Sequence, residues 1–239
     1  MAGEEHNEDR VKELLGRRAA DEFPQSGMRI GLGTGSTAIW AIRRIAERLA
    51  DGSLRDIVGV ATSTQSAFAA QEGGIPLRSM NDPEIDGEVD LIIDGADEVD
   101  EHLHATKGGG AALLFEKIIA YNARRMVIIA GRGKYVSRLG RSYPVPIEVV
   151  REARVTATRA ITALGGRPEV RRAVRKMGPV ITDNGNILLD TYFDQGVDDA
   201  KALEAELNLI PGVVENGIFA RISPIVLLGE EDGSITRLG

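Results

Sequence analysis

The chain contains no cysteine. Disulfides, thiolate nucleophiles and cysteine-bound metals are therefore excluded, and the composition suits a cytoplasmic protein. Histidine is nearly as scarce: there are three, and His102 and His104 fall in one polar stretch that reads as a solvated loop. No His, Asp and Glu set stands at a recognised metal-ligand spacing. No apolar run approaches the roughly 20 residues of a membrane span. The first ten residues are polar and acidic, unlike a signal peptide. The net charge is −7 and no long basic block occurs, which argues against nucleic acid as a partner. Lysine is also rare, six against 23 arginines. Four of the six, Lys12, Lys107, Lys117 and Lys134, fall in segments singled out below, where a compact rotatable ammonium has a use that guanidinium does not.

What remains is an ordinary globular composition, 43% hydrophobic and 27% charged, in 239 residues. That length accommodates one large domain or two modest ones. Residues 7–22 keep helical apolar spacing through Val11, Leu14, Leu15 and Ala19. Strand-like runs at 28–32, 57–61, 89–93 and 126–130 alternate with helical patterns at 38–50, 63–72 and 110–122. This alternation predicts a parallel sheet with helices on both faces. The pattern changes near Gly140, after which Tyr143, Pro144, Val145 and Pro146 read as a connector. Strands at 147–150, 169–174, 186–192 and 213–219 are then interleaved with helices at 155–164 and 198–207, and Asp183, Asn184, Gly185 and Asn186 give a hairpin signal. The order β-α-β-β-α-β is that of a split βαβ unit. The expectation is an α/β protein: a Rossmann-like parallel-sheet domain, residues 1–139 and 221–239, with an inserted ferredoxin-like α+β domain, residues 140–220. The apolar run at 225–228 is expected to return to the first sheet.

Three segments carry chemistry. The first, Gly31, Leu32, Gly33, Thr34, Gly35, Ser36 and Thr37, lies between a predicted strand and a helix. Its glycines let backbone amides converge, and a helix N-terminus adds partial positive charge, which suits a phosphate. A dinucleotide fingerprint counted from Gly31 lacks its third glycine at Ser36. Counted from Gly33 the Ala-ended variant fits through Gly35 and Ala38, but the second strand ends at Ala61, Thr62 and Ser63 without the required acid. No Gly-Lys-Ser/Thr follows, so the Walker pattern fails as well. A plain glycine turn with a hydroxyl cap is the alternative.

The second segment, Asp94, Gly95, Ala96, Asp97 and Glu98, follows an apolar strand, where open α/β sheets bind ligands. Its carboxylates suit sugar hydroxyls, acid–base work or Mg²⁺, and a solvated acidic loop is the competing reading. The third runs from Lys107 through Gly108, Gly109 and Gly110 to Glu116 and Lys117. Three consecutive glycines are costly in chain entropy and make sense where backbone approaches a ligand. Glu116 is expected about one and a half turns into the helix that follows, with Ala112, Leu113, Ile119 and Ala120 as its apolar helical neighbours. A carboxylate on such a face should have a raised pKa, as a general base near neutrality requires. Pairing with Lys117 or snorkelling to water is the alternative.

Together these segments resemble the ribose-5-phosphate isomerase type A family. The resemblance also takes in Leu164, Gly165, Gly166, Arg167 and Pro168, the turn from Thr182 to Asn186, and Pro211, Gly212, Val213 and Val214, in family order over nearly the whole chain. It implies a reversible aldose–ketose isomerisation of ribose 5-phosphate and ribulose 5-phosphate in the non-oxidative pentose phosphate pathway, without cofactor or metal. It implies Glu116 as the base, with Asp94, Asp97 and Lys107 assisting. Substrate would be bound by Thr34, Gly35, Ser36 and Thr37, by Asp94, Gly95, Ala96 and Asp97, by Lys107, Gly108, Gly109 and Gly110, and by Lys12 and Lys134. The implied partner is a small sugar phosphate, with the chain assembled as a homodimer or homotetramer. One departure stands out: where the family carries a carboxylate and a serine before the lysine matched by Lys134, this chain has Gly131, Arg132 and Gly133, so Arg132 is a further candidate for the phosphate. A deaminase or CoA transferase of the same fold group, or a binding-only sugar-phosphate sensor, are the competing functions.

Overall fold

The computed structural model describes residues 2–239. In chain order the elements are α1 (Ala2–Glu22), β1 (Arg29–Leu32), α2 (Ala38–Ala50), β2 (Val58–Ala61), α3 (Thr64–Glu72), β3 (Leu91–Gly95), β4 (Glu98–Val99), β5 (Ala105–Thr106), α4 (Leu113–Tyr121), β6 (Met126–Gly131) and β7 (Val145–Val149). They continue with α5 (Arg154–Ala163), β8 (Arg167–Val170), β9 (Ile187–Tyr192), α6 (Ala200–Asn208), β10 (Val213–Asn216), β11 (Ile218–Phe219), β12 (Ile225–Gly229) and β13 (Ile235–Leu238). Two compact units result. One comprises residues through Ala96 with Phe115–Tyr135 and Ile222–Gly239, the other Asp97–Leu114 with Val136–Arg221.

The first unit is built on a six-stranded sheet of order β13-β12-β6-β3-β1-β2. All neighbours pair in parallel except the edge strand β13, which is antiparallel to β12. Strand alternation sorts the side chains. Ile30, Leu32, Leu91, Ile93, Val127, Ile129 and Leu227 form one buried cluster with Leu15 of α1 and Ile42 and Ile45 of α2. The intervening residues Ile92, Ile128 and Val226 are buried as well, so the strands read as continuous apolar runs. In α2 the buried positions Ala38, Ala41, Ile42, Ile45 and Ala46 keep a single helical face. From β1 the chain goes outward to β2 and then back across β1 to β3 on its other side, which makes the carboxyl ends of β1 and β3 the topological switch point of the sheet.

The second unit contains the split βαβ motif as an antiparallel sheet of order β10-β7-β9-β8, with α5 and α6 as its crossovers. Its core gathers Ile147, Val149, Ile161, Leu189, Phe193 and Leu207. Residues 97–114, which the strand–helix alternation places with the first domain, group here, because β4 and β5 form a three-stranded sheet with β11.

Several boundaries differ from expectation. The apolar run at 213–219 is broken at Gly217, and its last two residues leave β10 to pair with β5. Val145 and Pro146 belong to β7 rather than to a connector. The strand expected at 169–174 ends at Val170, and Val174 is fully exposed in the turn beyond it. The Asn184-Gly185 turn joins an isolated bridge at Ile181 to β9 instead of joining β8 to β9 directly. Its polar groups converge on buried Glu148, whose Oε1 accepts from Thr182, Asn184 and Asn186.

Glu98 is the other buried carboxylate that organises this unit. It is 1% exposed and accepts the backbone N–H groups of Gly140 (2.6 Å), Ser142 (2.9 Å) and Tyr143 (2.9 Å). Glu98→Ala would strand these donors, at about 1–3 kcal/mol for each one left unsatisfied. The expected outcome is a loss of at least about 3 kcal/mol in urea denaturation, and a loss below about 1 kcal/mol, typical of an ordinary substitution, would refute the role.

Candidate active site

The 33–37 loop leaves the carboxyl end of β1 and enters α2. Asp94, near the carboxyl end of β3, is fully buried, and its Oδ1 accepts from Thr34 N–H (2.9 Å) and Gly95 N–H (2.7 Å). The Thr34 hydroxyl lies 2.7 Å from both Thr62 Oγ1 and Ser63 Oγ, and Gly35 N–H donates to Gln65 Oε1 (2.9 Å). The loop is thus held from β3 on one side and from the β2–α3 corner on the other. Thr62, Ser63 and Gln65 are supports that no local motif announces. Ser36 is exposed, and Thr37, at the N-cap of α2, makes no side-chain capping bond. A neighbouring helix shows the contrast: the Ser63 hydroxyl at the N-cap of α3 accepts from Ser66 N–H. The Ser36 and Thr37 hydroxyls therefore sit at a helix N-terminus without capping duty.

Glu116 is 3% exposed. Helix α4 begins at Leu113 rather than at Gly110, so Glu116 lies in its first turn and not one and a half turns in. Gly108, Gly109 and Gly110 form a turn instead, closed by Ala111 N–H donating to Gly108 O (2.9 Å), with Ala111 at φ +61°. The first turn of a helix favours negative charge. Because α4 leads back to the start of parallel strand β6, its first turn belongs to the carboxyl edge of the sheet, as do the 33–37 loop and Asp94. Phe115 and Ile118 are exposed, while Lys117, 2% exposed, places its ammonium 5.8 Å from the Tyr121 ring.

Lys12, Thr37, Gly131, Arg132, Gly133 and Lys134 line a groove of about 1110 Å³ within the first unit. Lys134 Nζ donates to Ala96 O (2.8 Å). Lys12 pairs with Glu8 (2.8 Å) and Asp9 (3.5 Å). Burial works to lower its pKa, but these carboxylates outweigh it and hold the ammonium above its usual range. Arg132 is exposed, stacks on Tyr135 (4.9 Å) and approaches Glu230 (3.9 Å). The groove therefore carries both signs of charge, since Glu8, Glu230, Glu231 and Asp232 also line it.

In the second unit, Asp97 is partly buried and its Oδ2 accepts from Gly109 N–H (2.8 Å). Lys107 is 2% exposed, with its ammonium 5.6 Å from the Phe219 ring. Burial and the nearby Asp97 charge both raise the Tyr143 pKa. The paired histidines differ: His102 is exposed, whereas His104 is largely buried and its Nδ1 lies 3.2 Å from Asp100 Oδ2. The expectation of two solvated histidines thus fails for His104. Among the described residues no group of three or more His, Asp or Glu is arranged to hold a metal ion, and no helix is long and apolar enough to cross a membrane.

Fold and site together define a doubly wound α/β protein with an inserted split βαβ unit and buried carboxylates at the ligand-binding edge of its parallel sheet. The family model for ribose 5-phosphate isomerase A (phosphoriboisomerase A) matches residues 58–233. Ribose-5-phosphate isomerase A of Treponema denticola is 48% identical over 213 residues, 89% of each chain. The structure of ribose 5-phosphate isomerase A from Methanocaldococcus jannaschii is similar with a TM-score of 0.89 at 40% identity, covering 97% of this chain and 99% of that one. A D-ribose-5-phosphate isomerase in complex with phospho-erythronic acid gives a TM-score of 0.91 at 43% identity, covering 96% and 97%. The chain belongs to the ribose 5-phosphate isomerase A family.

The Asp94 contact leaves no room at Gly33, where a Cβ would stand 2.3 Å from Asp94 Oδ1 and 2.5 Å from Ile93 O. Gly33→Ala should cost about 1–3 kcal/mol, as overpacking does. Gly133→Ala, whose Cβ would meet nothing within 4 Å, should stay within about 0.5 kcal/mol of the parent. Equal urea midpoints for the two variants would contradict the packing described.

Proposed function

We infer that this chain interconverts ribose 5-phosphate and ribulose 5-phosphate by moving one proton through an enediolate, with Glu116 as the base. The observation that carries the assignment of the base is the near-complete burial of Glu116 in the first turn of a helix that directly follows the glycine turn. Its carboxylate takes the proton from C2 of the open-chain aldose and returns it to C1 on the same face. Negative charge grows on oxygen as it does so. Lys107 and the amides of the 107–110 turn supply the positive potential that favours this charge. Ring opening falls to one carboxylate of the acidic segment, Asp94 or Asp97. Ser36 and Thr37 grip the phosphate together with the amides at the start of α2, and Lys12 and Lys134 add charge in the groove beside Thr37. The reaction is redox-neutral within one substrate and calls for no redox cofactor, and the proposed Glu116, Lys107 and backbone amides supply the base and the oxyanion stabilisation without a metal. A cytoplasmic homodimer or homotetramer completes the reading. A deaminase or a CoA transferase would instead release ammonia or form a thioester on its glutamate, and a sensor would bind without turnover.

The purified chain should form ribulose 5-phosphate from ribose 5-phosphate, with full activity in EDTA. Glu116→Gln keeps the shape but cannot take a proton, so turnover should fall by at least about 10²–10⁴ with affinity little changed. Retention of more than roughly a tenth of parental turnover, well above that loss, would make Glu116 structural.

The phosphate does not react, so Ser36 and Thr37 should act mainly on binding. Hydrogen bonds to a charged group are worth about 1.5–3 kcal/mol each, so the Ser36→Ala, Thr37→Ala double variant should raise KM at least tenfold, with a smaller effect on kcat. A folded double variant with the parental KM would remove the phosphate from this loop.

A further inference from the structure

Arg171 lies directly after β8 and outside every motif considered so far. Its backbone is tied to β9 through its N–H, which donates to Leu188 O (2.9 Å). Its guanidinium is clamped by Asp190 of β9. Nε stands 3.1 and 2.9 Å from the two carboxylate oxygens and Nη2 stands 2.6 Å from Oδ1, with the two side chains only 13% and 18% exposed. The remaining nitrogen, Nη1, donates to two successive carbonyls of the glycine turn, Gly108 O (2.9 Å) and Gly109 O (3.1 Å). All three nitrogens of one planar fork are thereby engaged by a carboxylate and two peptide units. Burial works against the Arg171 charge, and the Asp190 carboxylate more than offsets it, so that Arg171 titrates above the usual arginine range.

The peptide geometry gives these bonds a consequence. In a trans peptide the C=O and N–H of one plane point in opposite directions. The Gly108–Gly109 plane is held on its carbonyl side by Arg171 and on its amide side by Asp97 Oδ2, at 2.8 Å. The next plane is held by its Gly109 carbonyl, which turns the Gly110 N–H away from Arg171, and Gly110 is exposed. Residue 109 must be glycine for this grip, since a Cβ there would stand 2.5 Å from Asp97 Oδ1 and 3.0 Å from the Tyr143 hydroxyl.

We propose that Arg171, locked by Asp190, is the positioning residue of the glycine turn: it fixes two consecutive peptide planes so that the Gly110 N–H is presented to a substrate oxygen and the Asp97 carboxylate is held in one orientation. The proposal rests on the isomerase reading above and adds to it a residue that does not itself touch substrate. Its effect comes through preorganisation. A donor fixed in advance stabilises developing oxyanion charge without reorganising during the reaction. A lysine keeps the charge but has no fork with which to hold a carboxylate and two carbonyls at once.

The test compares Arg171→Lys, Arg171→Ala and Asp190→Asn with the parent. Folding is followed by urea denaturation, kcat and KM by the isomerase assay, and the phosphate end by competitive inhibition with inorganic phosphate. Arg171→Lys should lose about 10²-fold in kcat, the size expected for a small misplacement of catalytic groups. Inhibition by inorganic phosphate should be nearly unchanged, because Ser36 and Thr37 are untouched. Asp190→Asn should lose kcat in the same sense, and added guanidinium should restore part of the turnover of Arg171→Ala. A merely structural Arg171 would lower the folded fraction while leaving turnover per folded molecule, and it would show no guanidinium rescue. Either that pattern or a fully active Arg171→Lys would overturn the proposal. If the parent itself fails to isomerise ribose 5-phosphate, the functional reading falls first. An active parent with an indifferent Arg171→Lys removes this inference alone.

Discussion

Buried and partly buried carboxylates that accept backbone amides hold this protein's loops in place. One short segment supplies three of them. Asp94 takes Thr34 N–H and Gly95 N–H, Asp97 takes Gly109 N–H, and Glu98 takes the N–H groups of Gly140, Ser142 and Tyr143. Hydrogen bonds to an ionised acceptor are roughly twice as strong as neutral ones. They also spare loop amides that have no ladder or helix partner from burial without one. The acidic stretch that begins at the end of β3 is therefore a set of loop anchors as well as a candidate source of acid–base groups.

This double role has a physical logic. A loop that must present amides to a phosphate or an oxyanion cannot spend them on regular secondary structure. Its shape has to come from side chains that grip the remaining peptide groups. Asp94 does this for the 33–37 loop at the switch point, with Thr62, Ser63 and Gln65 closing the other side. In the second unit Asp97 and Arg171 grip opposite sides of one peptide plane in the glycine turn. Negative and positive side chains are both needed, because amides and carbonyls point in opposite directions along the chain.

The proposed base sits in a different kind of environment. Glu116 is buried on a helix rather than on a loop, and elements with internal hydrogen bonds hold a side chain more tightly than loops do. Its helix start is set by the glycine turn: with Gly108, Gly109, Gly110 and Ala111 taken up by that turn, α4 begins at Leu113 and Glu116 falls in the first turn. The three glycines thus set where the helix carrying the carboxylate begins.

The sequence by itself determined the strand–helix alternation from β1 to β6, the split βαβ order of the second unit and the α2 boundaries at Ala38 and Ala50, and it singled out the glycine loop, the acidic segment and the candidate base, because each is written in a local pattern of period, turn residues or helix start. Helical and strand periodicity and glycine chemistry act over a few residues, so they are legible in one dimension. Tertiary structure alone decided what those residues grip. The partners of Glu98 lie 42 to 45 positions away, those of Arg171 in the glycine turn 62 and 63, and that of Asp94 in the first loop 60. It also decided that Gly217 would send Ile218 and Phe219 to β5, drawing residues 97–114 into the second unit. A hydrogen bond depends on distance in space, and no local spacing encodes which distant amide a buried carboxylate will meet once the sheets have formed.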